Sequence, residues 1–186
     1  LDNGTGGTRE GALAPAPGKT TMTTNHADTS AAIRGQLPLG VALCRPECYP
    51  HPVESVRVLE THISWVLLTG TWAYKIKKPV NLGFVDFSTL RLRRHFCEEE
   101  LRLNRRLAPQ LYDAVVEIRG TPDNPRVNGS GPVLDYAVKM REFPQDALAS
   151  RLLAADRLGP RQIGQLAATI AAFHERAAVA ATGSVF

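Results

Sequence analysis

No apolar run in this 186-residue chain approaches the roughly 20 residues that a membrane-spanning helix needs. The first residues also lack the apolar core of a signal peptide. Cysteine is scarce: Cys44, Cys48 and Cys97 are an odd number in no compact framework, which argues against a disulfide-stapled secreted fold and for a reducing cytoplasm. Aromatic residues make up only 6%, and no stacking aromatics line the basic face of residues 89–107. Charge of one sign is not in large excess either. A net charge of +4 suits a polyanionic ligand such as a nucleotide without demanding one. No Gly-x-Gly-x-x-Gly occurs. Gly18-Lys19-Thr20 ends like a P-loop, but Leu13 stands where the first glycine is required, so that motif is excluded.

What is present is ordinary globular composition, 44% apolar with 22% charged residues, enough for a real core. Residues 1–34 are polar or rich in Gly, Thr, Ala and Pro and are expected to form a disordered leader. Met22 is the expected true start, with residues 1–21 not native. A short helix is predicted over Leu37–Cys44, closed by Arg45-Pro46. Strands are predicted at Val56–Glu60, Ile63–Leu68 and Trp72–Lys77, with Thr69-Gly70 turning the second hairpin. Asp86 or Ser88 is placed to cap a helix over Thr89–Leu107 that Pro109 terminates. Two more strands follow, Val115–Arg119 and Val133–Met140, and the Pro/Asn/Gly stretches between them read as turns. Helices are predicted over Asp146–Ala155 and Pro160–Ala178. Strands come first, then one helix, more strands and more helices, which is antiparallel α+β rather than alternating β-α-β.

Residues 61–78 carry the strongest functional signal. Alternation along Trp72–Lys77 puts Ala73, Lys75 and Lys77 on one face and Trp72, Tyr74 and Ile76 on the other. A strand lysine beside an apolar cleft is how kinase-like enzymes hold the phosphates of ATP, although Lys75, Lys77 and Lys78 also suit a charged edge strand. On helix 89–107, Arg91, Arg94, His95, Glu98, Arg102, Arg105 and Arg106 form a solvent face. Glu100 falls instead in the apolar arc, where a carboxylate is costly unless a cation meets it. Lys75 is the candidate partner; otherwise Glu100 lies partly exposed beside Arg93 or Asn104. A second Ala-x-Lys, Ala137-Val138-Lys139, lacks a suitably placed acid and is assigned to the strand entering a hinge at Met140-Arg141-Glu142-Phe143. Backbone groups there can bond an adenine edge. Thr61, His62 and Ser64 occupy the place of a phosphate-covering loop, either contacting phosphates or only closing a turn.

Five segments together resemble the aminoglycoside-phosphotransferase-like branch of the kinase fold: Thr61–Ser64, Tyr74–Val80, Phe84–Ser88, Glu100–Arg106 and Tyr136–Met140. The likeness is to bacterial bifunctional aminoglycoside phosphotransferase/ATP-binding (AAA-family ATPase) proteins and spans about residues 37–180. It implies a protein-kinase-like amino-terminal lobe over residues 35–140, followed at 141–186 by a hinge and the first helices of a truncated carboxy-terminal lobe. It further implies ATP and Mg2+ between the lobes, with Lys75 on the α- and β-phosphates and Glu100 holding Lys75. Ala73, Thr61, His62, Ser64, Met140, Arg141 and Phe143 complete the expected ATP site. No His-Gly-Asp occurs, so the catalytic aspartate and the magnesium ligands are expected beyond residue 186, and the chain alone is expected to turn over little. The expected partners are a nucleotide, an unknown small-molecule phosphate acceptor and a carboxy-terminal P-loop kinase-like domain.

Two readings from other classes stand beside this one. The arginine face of helix 89–107 would serve a nucleic-acid-binding module, but Glu98 and Glu99 interrupt it, and nucleic acid is not the expected partner. A structural lobe that binds nothing is the other. Cys44, Cys48 and His51 match no common zinc spacing. Asn128-Gly129-Ser130 reads as a turn, and His174 as a surface or hinge residue.

Overall fold

The computed structural model describes residues 38–179 and 181–183. The expected leader, Met22, Gly18-Lys19-Thr20 and Leu37 lie outside them. The described chain is an α+β protein built on one six-stranded antiparallel sheet. Its elements are α1 (Pro38–Ala42), β1 (Arg57–Glu60), β2 (Ser64–Leu68), β3 (Trp72–Lys77), α2 (Leu90–Asn104), β4 (Tyr112–Thr121), β5 (Asn124–Val127), β6 (Val133–Arg141), α3 (Ala149–Ala154) and α4 (Pro160–Arg176). The strand order is β1-β2-β3-β6-β4-β5.

Alternation of side chains along β3 sets what lies on each side of the sheet. Tyr74 and Ile76 join Leu67, Val116, Ile118 and Ala137 in a dry core under α1 and the segment carrying Cys48 and Tyr49. Burying a side chain of this size contributes about 1.5–3 kcal/mol. On the other side Tyr136 and Val138 pack with Cys97 of α2 and with Leu90, Val115 and Met140. The β2–β3 turn closes with Thr69 N–H donating to Trp72 O at 2.9 Å and Gly70 at φ +90°, a backbone conformation suited to glycine.

Several boundaries differ from expectation for identifiable reasons. Helix α2 is capped by Thr89, not Asp86 or Ser88: Thr89 Oγ1 accepts the Leu92 N–H at 3.2 Å. Asp86 spends its carboxylate on the Ser88 N–H two residues on, at 2.9 Å. The helix ends at Asn104 rather than Leu107, and Leu103 and Leu107 are exposed instead of joining the apolar arc. Strand β5 lies where only a turn was expected. It pairs Pro125 with Gly120 at the sheet's edge, the position in a sheet that tolerates a missing N–H. Gln145–Ala147 forms a tight 3-10 turn before α3, where one longer helix was predicted. On α4, Ile163, Leu166 and Ile170 form a stripe that stays exposed.

Candidate functional site

Two buried ion clusters hold α2 against the sheet. The first joins Arg93 to Asp135: the guanidinium Nε lies 2.9 and 3.0 Å from the two carboxylate oxygens, and Nη1 donates to Phe87 O and Ser88 O at 3.2 and 3.3 Å. Asp135 also accepts the Tyr136 N–H at 2.8 Å. Both side chains are nearly closed to solvent. Burial raises the Asp135 carboxyl above its ordinary range, and the hydrogen bond and charge of Arg93 only partly offset that.

The second cluster lies about two helical turns further along, at Glu100. Lys75 Nζ donates to Glu100 Oε1 at 2.8 Å and Lys77 Nζ donates to Oε2 at 2.8 Å. The carboxylate sits in the apolar arc of α2, and the two ammonium groups reach it from alternate positions of β3. Burial works to raise the Glu100 carboxyl, but the hydrogen bonds and charges of Lys75 and Lys77 outweigh it and leave the group below its ordinary value. The predicted Lys75–Glu100 pairing is therefore present in the structure, and the exposed alternative beside Arg93 or Asn104 is not. Lys77 as a second partner was not foreseen. The signal was available, since it shares a face with Lys75 two residues on.

Beside Lys75, toward the β2–β3 turn, an open cavity of about 160 Å3 is lined by Leu59, Val66, Leu68, Ala73, Tyr112 and Met140, with Arg141 and Phe143 at the exit of β6. Register explains the grouping: Ala73 pairs with Leu68 on one side and Met140 on the other, while Lys75 pairs with Val66 and Val138. The volume falls short of the roughly 300–1,000 Å3 that encloses a whole ligand, so it suits one planar ring with the remainder outside. Just past β6, Glu142 accepts from Arg57 Nη2 at 3.0 Å and from the Gly70 N–H at 2.7 Å, which ties the strand exit to β1 and to the β2–β3 turn. Lys139 salt-bridges Asp113 at 2.8 Å and lies over the Trp72 ring, so it belongs to the sheet face opposite the cavity.

Thr61 and His62 of the β1–β2 turn and Ser64 at the start of β2 stand apart from that cavity. Thr61 Oγ1 accepts the Ser64 N–H at 3.0 Å and donates to Ser64 O at 3.1 Å, so its hydroxyl closes the turn. His62 is exposed. Ser64 is buried opposite Lys77, its hydroxyl without a partner among the described residues.

Comparison with known proteins finds an uncharacterized protein of Mycobacterium tuberculosis and one of Mycobacterium bovis, each 33% identical over 133 residues. The matched region is 70% of this chain but 25% of either relative, so the chain spans about a quarter of their length. No family model matches the chain, and no solved structure matches it.

The arginine face of α2 is partly spent on its own acids: Arg94 pairs with Glu98 at 2.8 Å and Arg102 with Glu99 at 2.6 Å. Arg105 donates to the carbonyls of Tyr112 and Asp113. No group of three His, Cys, Asp or Glu side chains that could hold a metal occurs among the described residues. Nor is any helix there long and apolar enough to cross a membrane.

Proposed function

We propose that this chain forms the ATP-binding, kinase-like amino-terminal lobe of a small-molecule phosphotransferase. One observation carries the reading: an ammonium–carboxylate pair, Lys75 with Glu100, stands on the same sheet face as an apolar, ring-sized cavity and next to it. Adenine would enter between Ala73, Val66 and Met140, with hydrogen bonds to the backbone at Arg141–Phe143. The Phe143 N–H donates no hydrogen bond among the described residues and is available to such an edge. The phosphates would then extend along β3 toward Lys75, whose side chain keeps 27% exposure while bonded to Glu100. Mg2+ would bind with the phosphates, and the groups that hold it and orient the acceptor would come from residues outside this chain. Lys75 would contribute charge neutralisation and positioning, the two terms that dominate phosphoryl transfer.

The test is thermal protection by ATP with magnesium. A saturable rise in melting temperature is expected for the unaltered chain and its loss is expected for Lys75→Ala. An equal rise in both proteins would remove Lys75 from the site. No rise at millimolar ATP would end the nucleotide reading.

A further inference from the structure

Glu100 has one carboxylate and two ammonium partners, so the cluster carries one more positive charge than a simple pair. The two lysines are not equivalent. Lys75 keeps 27% side-chain exposure and stands opposite Val66, a wall of the cavity, whereas Lys77 keeps 5%. The Lys77 ammonium is enclosed: it lies 4.8 Å from the centre of the Phe87 ring, which in turn packs edge-on against Phe96 of α2. Ser64 of β2 stands opposite it in the strand register and is itself fully buried. Of the two, only Lys75 has room to swing toward a ligand.

A swing of that kind has an electrostatic consequence. Glu100 keeps 12% exposure, and a carboxylate so placed is costly without a cation. A site with a single lysine must share it between the carboxylate and the ligand. Here the second oxygen of Glu100 already has its own ammonium at 2.8 Å.

We propose that Lys77 is the standing counter-ion of Glu100, a positioning residue that keeps the carboxylate paired and fixed while Lys75 turns to a bound polyphosphate. The inference rests on the nucleotide reading above and deepens it, dividing two adjacent lysines into a ligand-facing cation and a structural one that sets the charge of the site. With Lys77 gone, Lys75 would be the sole partner of Glu100, and the local excess of positive charge would vanish. Binding of the phosphates would weaken, and binding of the base would not.

The experiment compares ATP and adenosine titrations of the full chain in the unaltered form and as Lys77→Met, Lys77→Arg and Lys75→Met. Lys77→Met is expected to weaken ATP about tenfold, the loss of one charge-assisted contact, with adenosine affinity unchanged and with most of the ATP affinity restored by Lys77→Arg. Equal weakening of ATP and adenosine would show a merely structural lysine and overturn the proposal. So would wild-type ATP affinity in Lys77→Met, or no recovery in Lys77→Arg. If Lys77→Met does not fold, side-chain NMR of lysine ammonium groups in the unaltered chain decides: ATP should move the Lys75 signal and leave that of Lys77 in place, and movement of both refutes the division. Failure of the unaltered chain to bind either ligand overturns the nucleotide reading and this inference together. Normal ATP binding by Lys77→Met, beside weakened binding by Lys75→Met, overturns this inference alone.

Discussion

The two ion clusters under α2 use similar groups to opposite ends. At Arg93–Asp135 one cation meets one anion, Arg93 Nη1 donates to the carbonyls of Phe87 and Ser88, and Asp135 accepts the Tyr136 N–H. At Glu100 two cations meet one anion, and one of them stays partly open beside a cavity. A balanced, closed pair has no capacity left for a ligand. An unbalanced one that opens to solvent does. The difference also appears in the carboxyl groups, since burial prevails at Asp135 while the paired lysines prevail at Glu100.

Removing one partner of the closed pair should have the largest effect on the fold. Arg93→Ala leaves Asp135 buried and uncompensated and is expected to cost about 3–5 kcal/mol in urea unfolding. A loss as small as that of an exposed residue would mean that water already reaches this pair. The open cluster should respond in ligand binding. Lys75→Ala is expected to weaken ATP by about ten- to a hundredfold, as for one or two lost charge-assisted hydrogen bonds, while shifting the urea midpoint less than Arg93→Ala. The reverse ranking would exchange the roles assigned to the two clusters.

Acid titration sharpens the same contrast, because the two carboxyls are shifted in opposite directions. The folded-state value of Glu100 lies below its ordinary 4.5, so its ionised form stabilises the fold above that pH. The stability gap between the unaltered chain and Glu100→Gln should therefore close as pH falls through the folded value. Asp135 is raised above its ordinary 3.8, so the folded state holds the proton more tightly. Relative to Asp135→Asn, the unaltered chain should lose stability as pH rises from about that value. Unfolding curves at a series of pH values would show slopes of opposite sign; parallel slopes would erase the distinction. The smallest effect is expected at the amino-terminal cap of the helix that carries Arg93 and Glu100. Thr89→Ala removes the hydroxyl that accepts the Leu92 N–H and is expected to cost about 1 kcal/mol, measured by the same unfolding curves.

Much of this contrast was legible before any coordinates. Period-2 alternation fixed the limits of β3 and placed Ala73, Lys75 and Lys77 on one face. The helical wheel singled out Glu100, because a carboxylate among apolar residues needs a partner. Arg93 lies in the same arc, and Asp135 interrupts the apolar run Val133–Val138, so their pairing could have been argued in the same way. Other features were hidden for physical reasons. Proline and asparagine speak against a strand, and β5 forms with them only because an edge strand has one unpaired side. Asp86 is engaged in a bridge with Asn81 and in accepting the Ser88 N–H, pairings that composition alone does not show. The hydroxyl of Thr61 fits a turn or a ligand equally well by composition, and local hydrogen bonding assigned it to the turn.

The carboxylate of Glu142 bears on motion. It clamps the end of β6 to Arg57 and to the Gly70 amide, so the chain through residue 142 moves with the sheet. The chain leaves that clamp through Phe143-Pro144, where proline leaves fewer backbone angles free, and then enters the helices that follow. Phe143 is also a wall of the cavity, so the residue that leads into the helices also lines that space. Under the proposed reading, a ligand lodged against that wall would also bear on the path by which the chain enters those helices.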